Sequence, residues 1–175
     1  MRMSCRSTPW KADPAHSRIG FAITHLGISK ITGAVNRFDV TIASSKPGFQ
    51  RRCVRTRIDV ASIDTAIDQR DDYLRSSDFF EVAKHPRMTF RSKSISAAGK
   101  DRYKLSGDLT IHGVTKTVTA DLWFRGKTTN QGKVTAGFQL TASLNRSDFG
   151  VGPKFPPPMT SDEFVVEADG EFIKQ

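Results

Sequence analysis

Apolar and polar residues alternate most regularly along Tyr103–Phe124, YKLSGDLTIHGVTKTVTADLWF. Tyr103, Leu105, Gly107, Leu109 and Ile111 share one parity; Lys104, Ser106, Asp108, Thr110 and His112 share the other. After Gly113-Val114-Thr115 the pattern resumes, with Val118, Ala120, Leu122 and Phe124 on one face. A period of two marks a half-buried strand, and two such runs about a glycine-containing break predict a hairpin. Helical winding would scatter the same apolar residues around the axis, leaving no face to bury.

The same period recurs along the chain. Within Ser17–Leu26, Ile19, Phe21 and Ile23 share a face, and His25 shares their parity and is expected to point inward. Beyond Gly27, Ile31, Gly33 and Val35 continue the pattern before the apolar parity switches to Phe38, Val40 and Ile42. Such a switch predicts a bulge, here near Asn36-Arg37. Ser44–Gln50, with Pro47-Gly48, reads as a polar turn, and Val54, Thr56, Ile58 and Val60 mark a third strand.

The period then changes. Asp64–Ser76 predicts a short helix with Asp64 or Thr65 as N-cap and Ile67, Arg70, Asp71 and Leu74 on one side. Ser77–Pro86, carrying Phe79-Phe80, reads as an irregular loop, and long structured loops often serve as lids. Alternation returns in Arg87–Ile95, with Met88 and Phe90 inward, and continues through the hairpin. Val134 to Leu144 and Phe164 to Phe172 supply two more strands, the last after Pro156-Pro157-Pro158.

The expectation is an all-β domain over residues 1–175, with 1–9 as a tail. Eight sequential strands form an antiparallel up-and-down barrel, with one short helix and a long loop between strands 3 and 4. Phe21, Ile23, Phe38, Ile58, Phe90, Leu109, Ile111, Phe138 and Leu140 are expected to form the inner wall. Gly33, Gly107, Ala120, Ala136, Ala142, Ala168 and Gly170 share that inner parity, and so many small residues predict unfilled volume. His25 could meet a polar group of a ligand, and Phe79 and Phe80 are read equally as a lid or as an anchor.

An apolar content of 37% suits a sheet with one face in water. The net charge of +9 favours anionic partners without choosing among them. Cys5 and Cys53 form no metal-ligand spacing, and a disulfide between them is allowed but not required. No secretory leader or membrane-spanning apolar run is evident, so the expected location is cytoplasmic, or periplasmic or secreted if a leader was removed.

His16, His25, His85 and His112 lie in different segments without zinc-site spacing, so no metal is expected. Asp71 and Asp72 point apart on the helix and cannot pair; Arg70 and Asp71 are read as tying the helix to the barrel. No nucleophile elbow or phosphate loop occurs, and a catalytic role is disfavoured. The enzyme alternative uses His25 with a nearby carboxylate. The nucleic-acid alternative uses Arg55, Arg57, Arg91, Lys93, Lys116 and Lys127, but lacks exposed aromatics interleaved with the basic residues.

These segments together resemble the YceI-like family of lipocalin-like proteins. The resemblance rests on Trp10-x-x-Asp13-x-x-His16-Ser17-x-Ile19-Gly20-Phe21 and on Arg70-Asp71-x-x-Leu74-Arg75-Ser76-x-Asp78-Phe79-Phe80. It continues through His85-Pro86-x-Met88-Thr89-Phe90, Gly107–Thr115 and Asn145-Arg146-Ser147-Asp148-Phe149-Gly150. It implies a non-catalytic carrier with a tunnel for an isoprenoid, quinone or fatty-acyl chain, no other cofactor, and a homodimer as one admissible state. The basic surface also admits peripheral contact with anionic membrane. Many relatives carry a secretory signal, which is not evident at the start of this sequence, and Pro153–Thr160 is richer in proline than the family pattern.

Overall fold

The computed structural model describes residues 9–44 and 52–175. The predicted tail and the Pro47-Gly48 turn fall largely outside them. Ten strands follow in order: β1 (Trp10–His25), β2 (Ser29–Val35), β3 (Phe38–Ser44), β4 (Arg52–Asp59), β5 (Ile63–Asp64), β6 (Arg87–Ala97), β7 (Arg102–Ile111), β8 (Val114–Asn130), β9 (Lys133–Asn145) and β10 (Thr160–Lys174). Among the described residues one α-helix, α1, spans Asp68–Arg75.

Pairing is antiparallel throughout, and β1 closes the ring by pairing with β10. β2 and β3 occupy one place beside β1, which pairs with β3 at Trp10 and Lys11 and with β2 from Ile19 to His25. β5 adds only a two-residue pairing on β2. The result is the expected eight-stranded antiparallel barrel, broken at Asn36-Arg37 where the parity switches.

The alternation began at Ser17 because Asp13–His16 interrupts it. Ala12 pairs with Phe172 and Ser17 with Gly170, so four residues face Glu171 alone. That bulge reverses the parity and hides the first turn of β1. The central hairpin turns more tightly than expected, on His112-Gly113 alone, both with positive φ (52° and 74°). This conformation matches the twist of the flanking strands, and a glycine adopts it at least cost.

Helix α1 also begins later than predicted. Its N-cap position is Ile67, which makes no side-chain capping bond. Asp64 instead accepts from the Ala66 N–H at 2.8 Å and from Asn36 Nδ2 at 3.1 Å. Buried Asp71 accepts from Thr65 N–H and Oγ1, while Arg70 donates to Thr65 Oγ1 and carbonyl oxygen. Both residues therefore clamp Thr65. Arg75 ties the helix to the strand side, donating to the carbonyls of Ala61 and Ile63 at 3.0 Å each.

Two apolar clusters lie at opposite ends of the barrel. Ile42, Val54, Ile95, Leu105, Leu122, Ala136, Phe138 and Phe172, with Trp10, Tyr103 and Phe124, plug the end where β1 begins. Ile111, Phe149 and Val151, with Phe79, Phe80, Met88, Leu109, Val118 and Phe164, lie beneath the loops at the other.

Candidate functional site

Register places the expected wall residues on one inner face. Phe21 and Ile23 pair with Val166 and Phe164, Phe38 with Ile58, Phe90 with Leu109, and Leu140 with Ala168. Ile111 and Phe138 are buried within the two end clusters, while Phe21, Ile23, Phe38, Ile58, Phe90, Leu109 and Leu140 are only half-buried. In a closed ring, an inward side chain that keeps exposure borders space its neighbours do not fill.

The glycines do not contribute that space as expected. A Cβ on Gly33 would lie 2.5 Å from Phe21 Cζ, and one on Gly107 would lie 2.6 Å from Phe90 Cζ. Phe172 approaches Gly170 in the same way, at 3.0 Å. These glycines make room for rings from neighbouring inward positions, so the small-residue count overstated the open volume.

The loop-covered end is tightly stitched. Phe79 stacks on Phe155 with centroids 5.0 Å apart, and Tyr73 meets both edge-on at 5.6 Å. Phe79 and Phe80 both pack against the Ile111–Phe149–Val151 cluster, which makes them anchors of this end. Arg146, 8% exposed, donates to the carbonyls of Val151, Gly152, Phe155, Thr160 and Ser161. Burial pulls its pKa down, with the charge of Asp162 opposing.

The bulge leaves two concavities on either side of Phe38. One, of about 300 Å³, combines Phe38 and Ile58 with Arg37, Arg57 and Arg87 and with Asp39 and Asp59. The other, of about 170 Å³, is formed by Pro14, Ser17, Arg18, Val35, Asn36 and Phe38. Arg37 is already engaged by Asp59 at 2.8 Å.

His25 keeps the inward parity, because its pairing with Ser29 continues the β1–β2 register without a slip. It sits half-buried at the rim, opposite Thr160. On the outer surface, Arg102 and Arg125 lie 3.7 and 3.6 Å from the centroid of Trp123. Two guanidinium groups that close must occupy opposite faces of the indole, leaving no face for a base to stack on.

Sequence spacing missed one constellation. Glu81, His85 and His112 place their ligand atoms within 4.8 Å of one another. The separation of His85 and His112 in the chain hid this, and it is the β7–β8 turn that brings His112 across. Gly113 carried a signal: a Cβ there would lie 2.7 Å from His85 Cε1, so only glycine admits that ring.

Residues 10–172 match the YceI-like domain family. The chain belongs to the YceI-like family. Among curated YceI-like relatives, a UPF0312 protein of Pectobacterium atrosepticum is 35% identical over 156 residues, 89% of this chain and 81% of its own. One from Staphylococcus aureus is 35% identical over 146 residues, covering 82% of each chain. The crystal structure of Burkholderia cenocepacia BcnA superposes with a TM-score of 0.80 at 26% identity, over 94% of this chain and 99% of that one. A polyisoprenoid-binding domain from Saccharophagus degradans shares the fold, with a TM-score of 0.77 at 17% identity over 97% of this chain and all of its own.

Proposed function

We propose that this protein is a non-catalytic carrier that holds one long isoprenoid, quinone or fatty-acyl chain inside the barrel. The observation that carries this reading is the set of half-buried apolar residues on the inner face, Phe21, Ile23, Phe38, Ile58, Leu109 and Leu140. Hydrocarbon walls supply no nucleophile or proton donor, which supports binding over catalysis. The polyisoprenoid-binding domain that shares the fold supports an isoprenoid-like ligand.

Magnitudes favour a long chain. Each buried methylene contributes about 0.8 kcal/mol, while association costs roughly 4–15 kcal/mol before net affinity appears. A single five-carbon unit gains about 4 kcal/mol and only offsets the lower bound. Several units are needed, and a barrel closed by apolar plugs is a way to bury them.

The chain enters from a membrane in this reading. At the loop-covered end Leu26, Ile28 and Met159 are 52, 87 and 45% exposed, and Leu26 N–H donates to the Met159 carbonyl at 3.1 Å. An apolar tip on a strongly basic protein suits shallow insertion among anionic headgroups.

Organic extraction and mass spectrometry of the purified protein test the proposal, with native mass spectrometry for stoichiometry. A long-chain species at one per subunit is expected, and it should disappear in Ala168→Phe, which fills the space between Ile19 and Leu140. A protein that is empty as purified and refuses prenyl and acyl chains in titration overturns the carrier reading.

A further inference from the structure

We propose that Glu81, His85 and His112 form a binding site for a single divalent transition-metal ion of the zinc or cobalt class. The argument uses residues distinct from the apolar wall and does not depend on the carrier reading.

Local geometry supplies the donors. The N–H groups of Lys84 and His85 both return to the Glu81 carbonyl at 2.9 Å, a tight turn whose two ends, Glu81 and His85, bring their side chains together. His112 arrives from the β7–β8 turn, and its ring meets that of His85 edge-on at 4.8 Å between centroids. Glu81 and His112 both hold positive φ, 47° and 52°. At His112 this is the conformation of the two-residue turn, and at Glu81 a non-glycine residue adopts it at a cost.

The surroundings of His112 suit a metal ligand. His112 Nδ1 lies 3.4 Å from the Phe149 carbonyl oxygen, which can only accept. A proton on Nδ1 satisfies that oxygen and leaves Nε2 free to serve as a ligand. Nε2 is buried and has no hydrogen-bond partner; its nearest acidic atom, Glu81 Oε2, is 3.7 Å away. A histidine placed only for packing would satisfy that nitrogen.

Glu81 is prepared for the same task. Lys84 donates to Oε1 at 2.7 Å and leaves Oε2 turned toward His112, 3.7 Å from its Nε2. Donors around an ion at zinc–nitrogen distances stand about 3.4 Å apart, so closure from the observed spacing needs a shift of roughly 1 Å. Two imidazoles and a carboxylate suit zinc, cobalt or iron(II) rather than calcium or magnesium. Three protein ligands also leave a position for water or an anionic group.

A second cluster, Asp13, His16 and Glu171, offers an internal control. It is exposed, and His16 Nδ1 is already bonded to Asp13 at 2.9 Å.

Titration of tag-free protein with Co2+, followed by visible absorption, and with Zn2+, followed by thermal melting, tests the site. One Co2+ per chain with a mixed nitrogen–oxygen spectrum is expected, together with a higher melting temperature in Zn2+. His112→Ala and Glu81→Gln should each weaken binding by more than the roughly 10–100-fold lost with outer-shell partners. His16→Ala should bind as the parent does. Glu81→Gln preserves shape, so it remains informative should His112→Ala fail to fold. Absence of binding in the parent protein, or binding that survives Glu81→Gln and falls with His16→Ala, overturns the proposal.

Discussion

Lys154 Nζ lies 2.6 Å from Asp78 Oδ1, joining the loop after α1 to the proline-rich loop before β10. Tyr73 Oη donates to the other oxygen of the same carboxylate at 2.9 Å. These contacts hold together the two segments that cover one end of the barrel.

The latch should depend on pH at both limits. Hydrogen bonds from Lys154 and Tyr73 lower the Asp78 pKa, and the bond to Asp78 raises that of Lys154. The carboxylate contribution is present above the unfolded aspartate value and is lost as pH falls through the lowered folded value. The lysine contribution is lost as pH rises through its raised folded value. Amide protection in residues 77–86, taken relative to the intrinsic exchange rate at each pH, should therefore be greatest between the two, and Lys154→Met should lower it within that window without broad loss elsewhere.

Glycines under aromatic rings should reject a methyl group in different degrees. At Gly107 a Cβ would lie 2.4 Å from the Arg91 carbonyl oxygen, so backbone must shift. Gly107→Ala should cost about 1–3 kcal/mol or more in urea unfolding, and trimming Phe90 to Leu should not restore it. At Gly33 the closest atom is the flexible end of Phe21, with the Asp64 carbonyl at 2.9 Å. Phe21→Leu should recover part of the loss there.

Arg146 holds its loop by main-chain contacts alone, and its substitution should be severe. Arg146→Met leaves five carbonyls to find other partners, and a loss of at least about 3 kcal/mol in denaturant unfolding is expected. Arg146→Lys should recover little, because one ammonium cannot reproduce the planar fork.

If Leu26 and Ile28 enter a membrane, Leu26→Ser with Ile28→Ser should abolish flotation with anionic vesicles. Stability should be unchanged, since both side chains are exposed. A double variant that floats as well as the parent would place membrane contact elsewhere.

Most of the barrel was legible because one face of each strand is buried and the other is wet. The bulge at Asn36-Arg37 appeared as a parity switch for that reason, and the wall residues from Phe21 to Leu140 fell on the predicted face. Trp10–Ala12 escaped because Asp13–His16 reversed the parity. The Glu81–His85–His112 cluster escaped for a different reason. It is created by where a turn meets a loop across the barrel rim, and no spacing within the chain records that meeting. The helix cap was misplaced because Asp64 spends its carboxylate on the turn at Ala66 and on Asn36.

The pairing of β1 with β10 also bears on how the chain is made. Trp10 faces Lys174, and the Gln175 N–H donates to the Pro9 carbonyl at 3.0 Å, so the ring joins the first described residues to the last. β1 is made first and β10 last among these strands, so β1 waits for β10 to emerge before the ring can close. Throughout synthesis β1 lacks the longest of its neighbours, with its apolar face and its hydrogen-bonding edge uncovered. Contacts of such long sequence separation form slowly, and an unpaired strand is open to other chains while it waits. This is a fold whose closing pair joins the first strand made to the last.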